Sequence, residues 1–385
     1  MPPNSMNVYL DHAATTPVDP QVLQEMLPYF CDVYGNANSQ HQVGQRAENA
    51  VDRARDAVAQ TLGADANEIY FTSGGTESDN WAIKGVALAN RDKGKRVLTT
   101  AIEHHAVLNA AAWLAKEGYQ VDYLPVSADG IVDPDTFARA LRPDTVLASV
   151  MCVNNEVGTV QPIRRLADIC HQSGVLLHTD AVQAVGAVDT NVRRLGVDLM
   201  SISAHKFYGP KGVGALYVKN GVRIEPLIAG GSQERGLRGG TTNTPLVVGL
   251  AAALRRAVAS AEADNIYVAS LRDRFVQSVC GRLKGVRLNG SADMRVPGNA
   301  NLYIEGVRGE SALLSLDLAG ISAGLGSACT AGTTEPSHVL MAMGLSRLQA
   351  MSSIRFSFGK HNTDSEVDYA ADVLVDTVNR LRGWQ

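Results

Sequence analysis

Short apolar runs alternating with stretches of helical spacing fill the first two-thirds of the chain. After a short strand, "NVYLDHAA", helical spacing enters with "PQVLQEMLPYF". It returns in "RAENAVDRARDAVAQTLGA", where Ala47, Ala50, Val51, Ala54, Ala57, Val58 and Leu62 fall on one face. Strand "EIYFTS" then leads through Gly74 and Gly75 into a helix from about Thr76. Strand "RVLTTAI" precedes helix "AVLNAAAWLAKEG", and "QVDYLPV" follows. "TVLASVMCV" precedes helix "PIRRLADICHQSG", which leads into "VLLHTD" and a short helix "AVQAVG". The run Leu199 to Ala204 alternates and stays mostly apolar, so it reads as a further buried strand. Strands and helices alternating at this spacing predict an α/β fold with a mainly parallel sheet covered on both faces.

After about Pro245 the rhythm changes. A long helical region runs to Lys284, followed by "ANLYIEG", a helix from Glu310, a Gly-rich segment, "SSIRFSF" and a closing amphipathic helix. That pattern predicts a smaller α+β domain. At 385 residues the chain exceeds what one core usually serves, so two domains sharing a cleft are expected. We place the large domain at 14–258 and the small one at 1–13 with 259–385. Charge narrows the function: a net charge of −4 gives no general attraction to nucleic acid or anionic membranes. No apolar run approaches the length of a spanning helix, and "MPPNSMN" lacks the character of a signal peptide. Five scattered cysteines argue against a disulfide framework, so a cytoplasmic protein is expected.

Candidate chemistry gathers at strand ends, where ligands of open α/β sheets collect. Lys206 closes "LMSISAHK" ahead of a Gly/Pro turn. It is either a lysine turning outward or a desolvated amine of the type that binds carbonyls such as pyridoxal phosphate. "TSGGTES" is a common strand-to-helix turn or a phosphate cradle. Asp180 ends "VLLHTD", where it caps a helix or holds a pyridinium N–H, with Gln183 placed to reach the phenolic oxygen. His104 follows a strand. Its pairing with His105 lacks a third metal ligand at usual spacing, so a ring stacked on a flat cofactor is the better reading.

The segments "YLDHAATTP", "FTSGGTESDN", "EHHAVLN", "VNNEVGTVQP", "HTDAVQAVG", "SAHKFYGPKGVGALYV" and "RGGTTN" resemble the cysteine desulfurases of the NifS/IscS type. These are class-V aminotransferase relatives with the aspartate-aminotransferase-like fold type I. The resemblance implies a large domain with a seven-stranded sheet, pyridoxal 5'-phosphate as cofactor, and no metal. It makes Lys206 the lysine that carries the cofactor, Asp180 the pyridinium partner and His104 the stacking ring. Gln183 and Asn155 would meet the phenolic oxygen and nearby substrate groups. Thr76, Ser203 and His205 would hold the phosphate beside the Gly74–Gly75 backbone. The family threonine matching Thr241 reaches the neighbouring subunit's phosphate, which implies a homodimer.

Cys329 is the candidate for the group that selects the reaction. It lies in "SAGLGSACTAGTTEPSHVL", a run of small residues that exposes sulfur, whereas Cys31, Cys152, Cys170 and Cys280 read as packing. The resemblance implies that L-cysteine displaces Lys206, whose freed amine takes the Cα proton. Cys329 thiolate then takes the sulfur as a persulfide and alanine leaves. Arg355 is either a surface ion-pair partner or the fork for the substrate carboxylate. The sulfur would pass to an acceptor protein, such as an iron–sulfur scaffold or a tRNA or DNA thiolation enzyme. A selenocysteine lyase, an aminotransferase or a non-catalytic docking scaffold are the alternatives. Gly324 and Leu325 depart from the family's usual Ser-Ser-Gly-Ser-Ala-Cys and put loop behaviour in question.

Overall fold

The computed structural model describes residues 6–326 and 335–383. The strands in chain order are β1 (Val8–Tyr9), β2 (Ile69–Thr72), β3 (Arg96–Thr100), β4 (Gln120–Leu124), β5 (Thr145–Ser149), β6 (Leu176–Asp180), β7 (Leu199–Ser203), β8 (Gly214–Val218), β9 (Val286–Asn289), β10 (Asn299–Ile304), β11 (Ile321–Ser322) and β12 (Ser353–Ser357). Seven of them form one sheet in the order β2-β8-β7-β6-β5-β3-β4. Its pairs from β7 to β4 are parallel, and β8 runs antiparallel to both β2 and β7. All five residues of β5, β7 and β8 are buried, as near-continuous apolar runs require of strands covered on both faces.

A second, antiparallel sheet has the order β12-β10-β9. The protein has separate hydrophobic cores for the two sheets. One packs Val51, Val58 and Leu62 of the helix Gln42–Leu62 and Leu250 and Leu254 of the helix Thr244–Ala259 under the large sheet. Another joins Phe275, Phe356, Leu374 and Val378. Val8 and Leu10 belong to this second core, because β1 pairs in parallel with β11. The chain then crosses to the large sheet, where Thr16 N donates to His205 O at 2.9 Å.

Three local differences from the pattern have physical causes. The region expected as a long helical stretch is two helices, Thr244–Ala259 and Ala261–Arg282, that meet at Ser260. "PQVLQEMLPYF" breaks at Leu27, because Pro28 starts a new short helix. "AVQAVG" is a run of turns rather than a helix. Asp180 Oδ1 accepts from Val182 N at 2.9 Å, and Gly186 adopts φ +76 beside Ala257. Among the described residues no helix is long and apolar enough to cross a membrane.

Candidate active site

The carboxyl ends of β5, β6 and β7 open into a cleft of about 850 Å³ counted to its mouth. Lining it are Gly75, Thr76, His104, Asn155, Asp180, Gln183, Ser203, His205, Lys206 and Arg355. Ten residues expected from the sequence thus converge on one space.

Lys206 lies in a short 3-10 turn after β7. Its Nζ donates to Ala13 O at 2.6 Å and Ala14 O at 2.8 Å, so the crossing segment holds the amine over the cleft. Gln183 Nε2 also donates to Ala13 O, at 2.8 Å. Asp180 is 5% exposed. Burial raises its pKa, opposed by His104, the Val182 N–H and Lys206. His104 caps the helix His105–Lys116, its Nδ1 accepting from Ala106 N at 3.2 Å. Burial holds its pKa below the ordinary value. An acceptor nitrogen and a depressed pKa both describe a neutral, flat ring.

After the carboxyl end of β2, on the same cleft, Gly74 takes φ +152 and the helix Gly75–Asn80 begins. A Cβ on Gly75 would meet Val182 Cγ2 at 2.7 Å, so only glycine leaves that cradle open. His205 Nδ1 is 3.1 Å from Thr15 Oγ1, and burial pushes its pKa down to about 4. Thr241 is exposed and does not line this cleft.

Arg355 comes from β12 and is 2% exposed. Of the two readings of Arg355, the surface ion pair is wrong, since the group is buried. The guanidinium is nevertheless engaged: Nη1 donates to Asn155 O at 3.0 Å and Gly326 O at 2.6 Å, and Nη2 to Asp11 Oδ1 at 2.7 Å. Cys329 lies outside the described residues. Cys152 and Cys170 are buried as expected, and burial pushes the Cys152 thiol up to about 12. Cys31 and Cys280 are exposed, so packing does not account for them.

The residues fit pyridoxal phosphate. An amine, a buried acid that needs a positive neighbour, a neutral flat ring and a glycine cradle at a helix start match its aldehyde, ring nitrogen, ring face and phosphate.

Three acids escaped the sequence reading because only tertiary contacts give them their surroundings. Asp79 lies in the cleft wall at 1% exposure, 3.7 Å from His178 Nε2. Burial and the neighbouring Asp180 hold its pKa well above the carboxylate range. Its place three residues after Thr76 was the available signal. Asp11, in "YLDHAATTP", and Glu103, in "EHHAVLN", are the others. Glu103 Oε1 accepts from Thr100 Oγ1 at 2.7 Å and Met151 N at 3.0 Å, while the buried Oε2 has no partner among the described residues. Burial raises its pKa from 4.5 to about 8.

A pH dependence follows for Glu103. Between pH 4.5 and about 8 the folded chain keeps a proton on Glu103 that the unfolded chain has released. Stability from this group therefore falls as pH rises through that window, by at most about 1.4 kcal/mol per pH unit. Glu103→Gln keeps the oxygen acceptor and cannot ionise. Its melting temperature should gain on the parent's between about pH 5 and about pH 8. A parallel pair of melting curves across that range would contradict this.

Residues 8–370 match the family described as Aminotransferase class-V. A relative named cysteine desulfurase IscS, from Clostridium botulinum (strain Hall), is 47% identical over 377 residues, covering 97% of this chain and 95% of its own. A solved structure of a NifS-like protein superposes with a TM-score of 0.92 at 38% identity, covering 97% of this chain and 100% of that one. A structure of SspA in complex with cysteine gives a TM-score of 0.82 at 36% identity, with coverage of 92% and 100%.

Proposed function

This chain belongs to the aminotransferase class-V family, and we propose that it is a cysteine desulfurase dependent on pyridoxal phosphate. The observation that carries the reading is the convergence of the Lys206 amine, the Asp180 acid and the Gly75 cradle on one cleft that Arg355 closes. When bound, pyridoxal phosphate supplies an aldehyde for an amine and a ring that withdraws electrons from the amino acid's Cα.

The chain's own groups take the following roles. Gly74, Gly75, Thr76, Ser203 and His205 hold the phosphate, joined by Thr241 of a second copy in a homodimer. Asp180 holds a proton on the ring nitrogen. His104, neutral, covers the ring face without adding charge. Gln183 and Asn155 contact the phenolic oxygen and the substrate. Lys206, released from the carrier role, takes the proton from Cα of L-cysteine. Arg355 orients the substrate carboxylate through its planar fork. Cys329 attacks the substrate sulfur as thiolate: its S–S bond forms, the Cβ–S bond breaks, and the carbon frame takes up protons and leaves as alanine. The persulfide then passes to an acceptor protein, an iron–sulfur scaffold or a thiolation enzyme, in the cytoplasm. The cysteine seen on the related SspA structure and the name of the IscS relative support this choice of substrate.

The test is product analysis with the purified holoenzyme. L-cysteine with a thiol reductant should give alanine and sulfide in equal amounts. A stoichiometric oxo acid in place of alanine would point to transamination and sink the reading.

A further inference from the structure

Arg355 is buried, and one anion already sits on its guanidinium. Asp11 Oδ1 accepts from Nη2 at 2.7 Å. Nη1 is spent on two backbone carbonyls, those of Asn155 and Gly326. Nε is buried and has no partner among the described residues. A carboxylate bound along one edge of a guanidinium needs two adjacent N–H groups. Both N–H groups of Nη1 are engaged, which closes the Nη1–Nη2 edge and leaves Nε–Nη2, where among the described residues Nη2 already serves Asp11. Gly324 keeps this arrangement possible. It exchanges backbone hydrogen bonds with Arg355 at 3.0 and 2.7 Å, and a Cβ on it would press to 3.1 Å of both Nη2 and Asp11 Oδ1.

We propose that Asp11 is a specificity residue, a resident carboxylate that competes with substrate for the Nε–Nη2 edge of Arg355. The competition makes the carboxylate contact weak by itself, because an arriving anion meets a cation already neutralised by a neighbour. Simple carboxylates therefore gain little from entering. An amino acid gains enough, since its amine is held separately at the Lys206 end of the cleft. This inference rests on Arg355 being the carboxylate receiver.

The experiment measures propionate binding to the holoenzyme by titration calorimetry, together with KM and kcat for cysteine, in the parent, Asp11→Asn, Asp11→Glu and Arg355→Gln. Asp11→Asn keeps an oxygen acceptor for Nη2 and removes the charge. It should bind propionate about tenfold more tightly or better, and its KM for cysteine should fall by a larger factor than its kcat. Asp11→Glu, which restores the anion, should return towards the parent, as a purely structural role for Asp11 would not require. Arg355→Gln should lose propionate binding. If Asp11→Asn binds propionate no more tightly than the parent while Arg355→Gln loses it, the Asp11 inference is wrong and the Arg355 role stands. If Arg355→Gln binds propionate as the parent does, the Arg355 role fails and the inference with it.

Discussion

Alanine in place of Cys329 should lower sulfur transfer from cysteine by about a thousandfold or more, with the cofactor still bound. The size of the loss follows from there being no substitute thiol. Cys152 and Cys170 are buried, and burial raises both thiols, so neither offers a thiolate near neutral pH. Cys31 and Cys280 are exposed, but neither lines the cleft. Mass spectrometry of the intact protein after a cysteine pulse should show one extra sulfur on the parent and none on Cys329→Ala. A variant that still accumulates the added sulfur would move the nucleophile elsewhere.

Lys206→Ala should be the other near-complete loss, because two functions leave with one amine. Removing a positioned base costs about 10²- to 10⁴-fold in rate, and the covalent hold on the cofactor goes as well. Lys206→Arg should not restore activity, since a guanidinium stays protonated and cannot accept the Cα proton. Single-turnover kinetics with cofactor in excess separates the two effects. Recovery of parental rates by added cofactor alone would show that Lys206 only anchors. Loss that persists at saturation is the expected result.

The strand ends were the legible part of this chain. "VLLHTD" and "LMSISAHK" are apolar runs closed by a charged residue, and those two residues line the same cleft. The glycine turn after β2 was legible for the same reason, a strand passing directly into a helix. What the sequence hid depended on distant contacts. Asp11 and Arg355 are 344 positions apart, so nothing local shows that one neutralises the other. Asp79 and Glu103 sit in segments of mixed polarity, and only the assembled sheet removes them from water. The turns at 182–187 were misread as a helix because apolar spacing outweighed what Asp180 and Gly186 do to the backbone. Thr241 faces solvent away from the cleft, a placement no spacing rule supplies.

The central claim is that the Lys206 amine carries the vitamin B6 aldehyde. Borohydride reduction of the coloured protein, followed by proteolysis and peptide sequencing by mass, tests it directly. The account predicts a pyridoxyl-phosphate adduct on the peptide containing "SAHKFYGP", at Lys206. An adduct on another lysine, or a reduced protein with none, would contradict it.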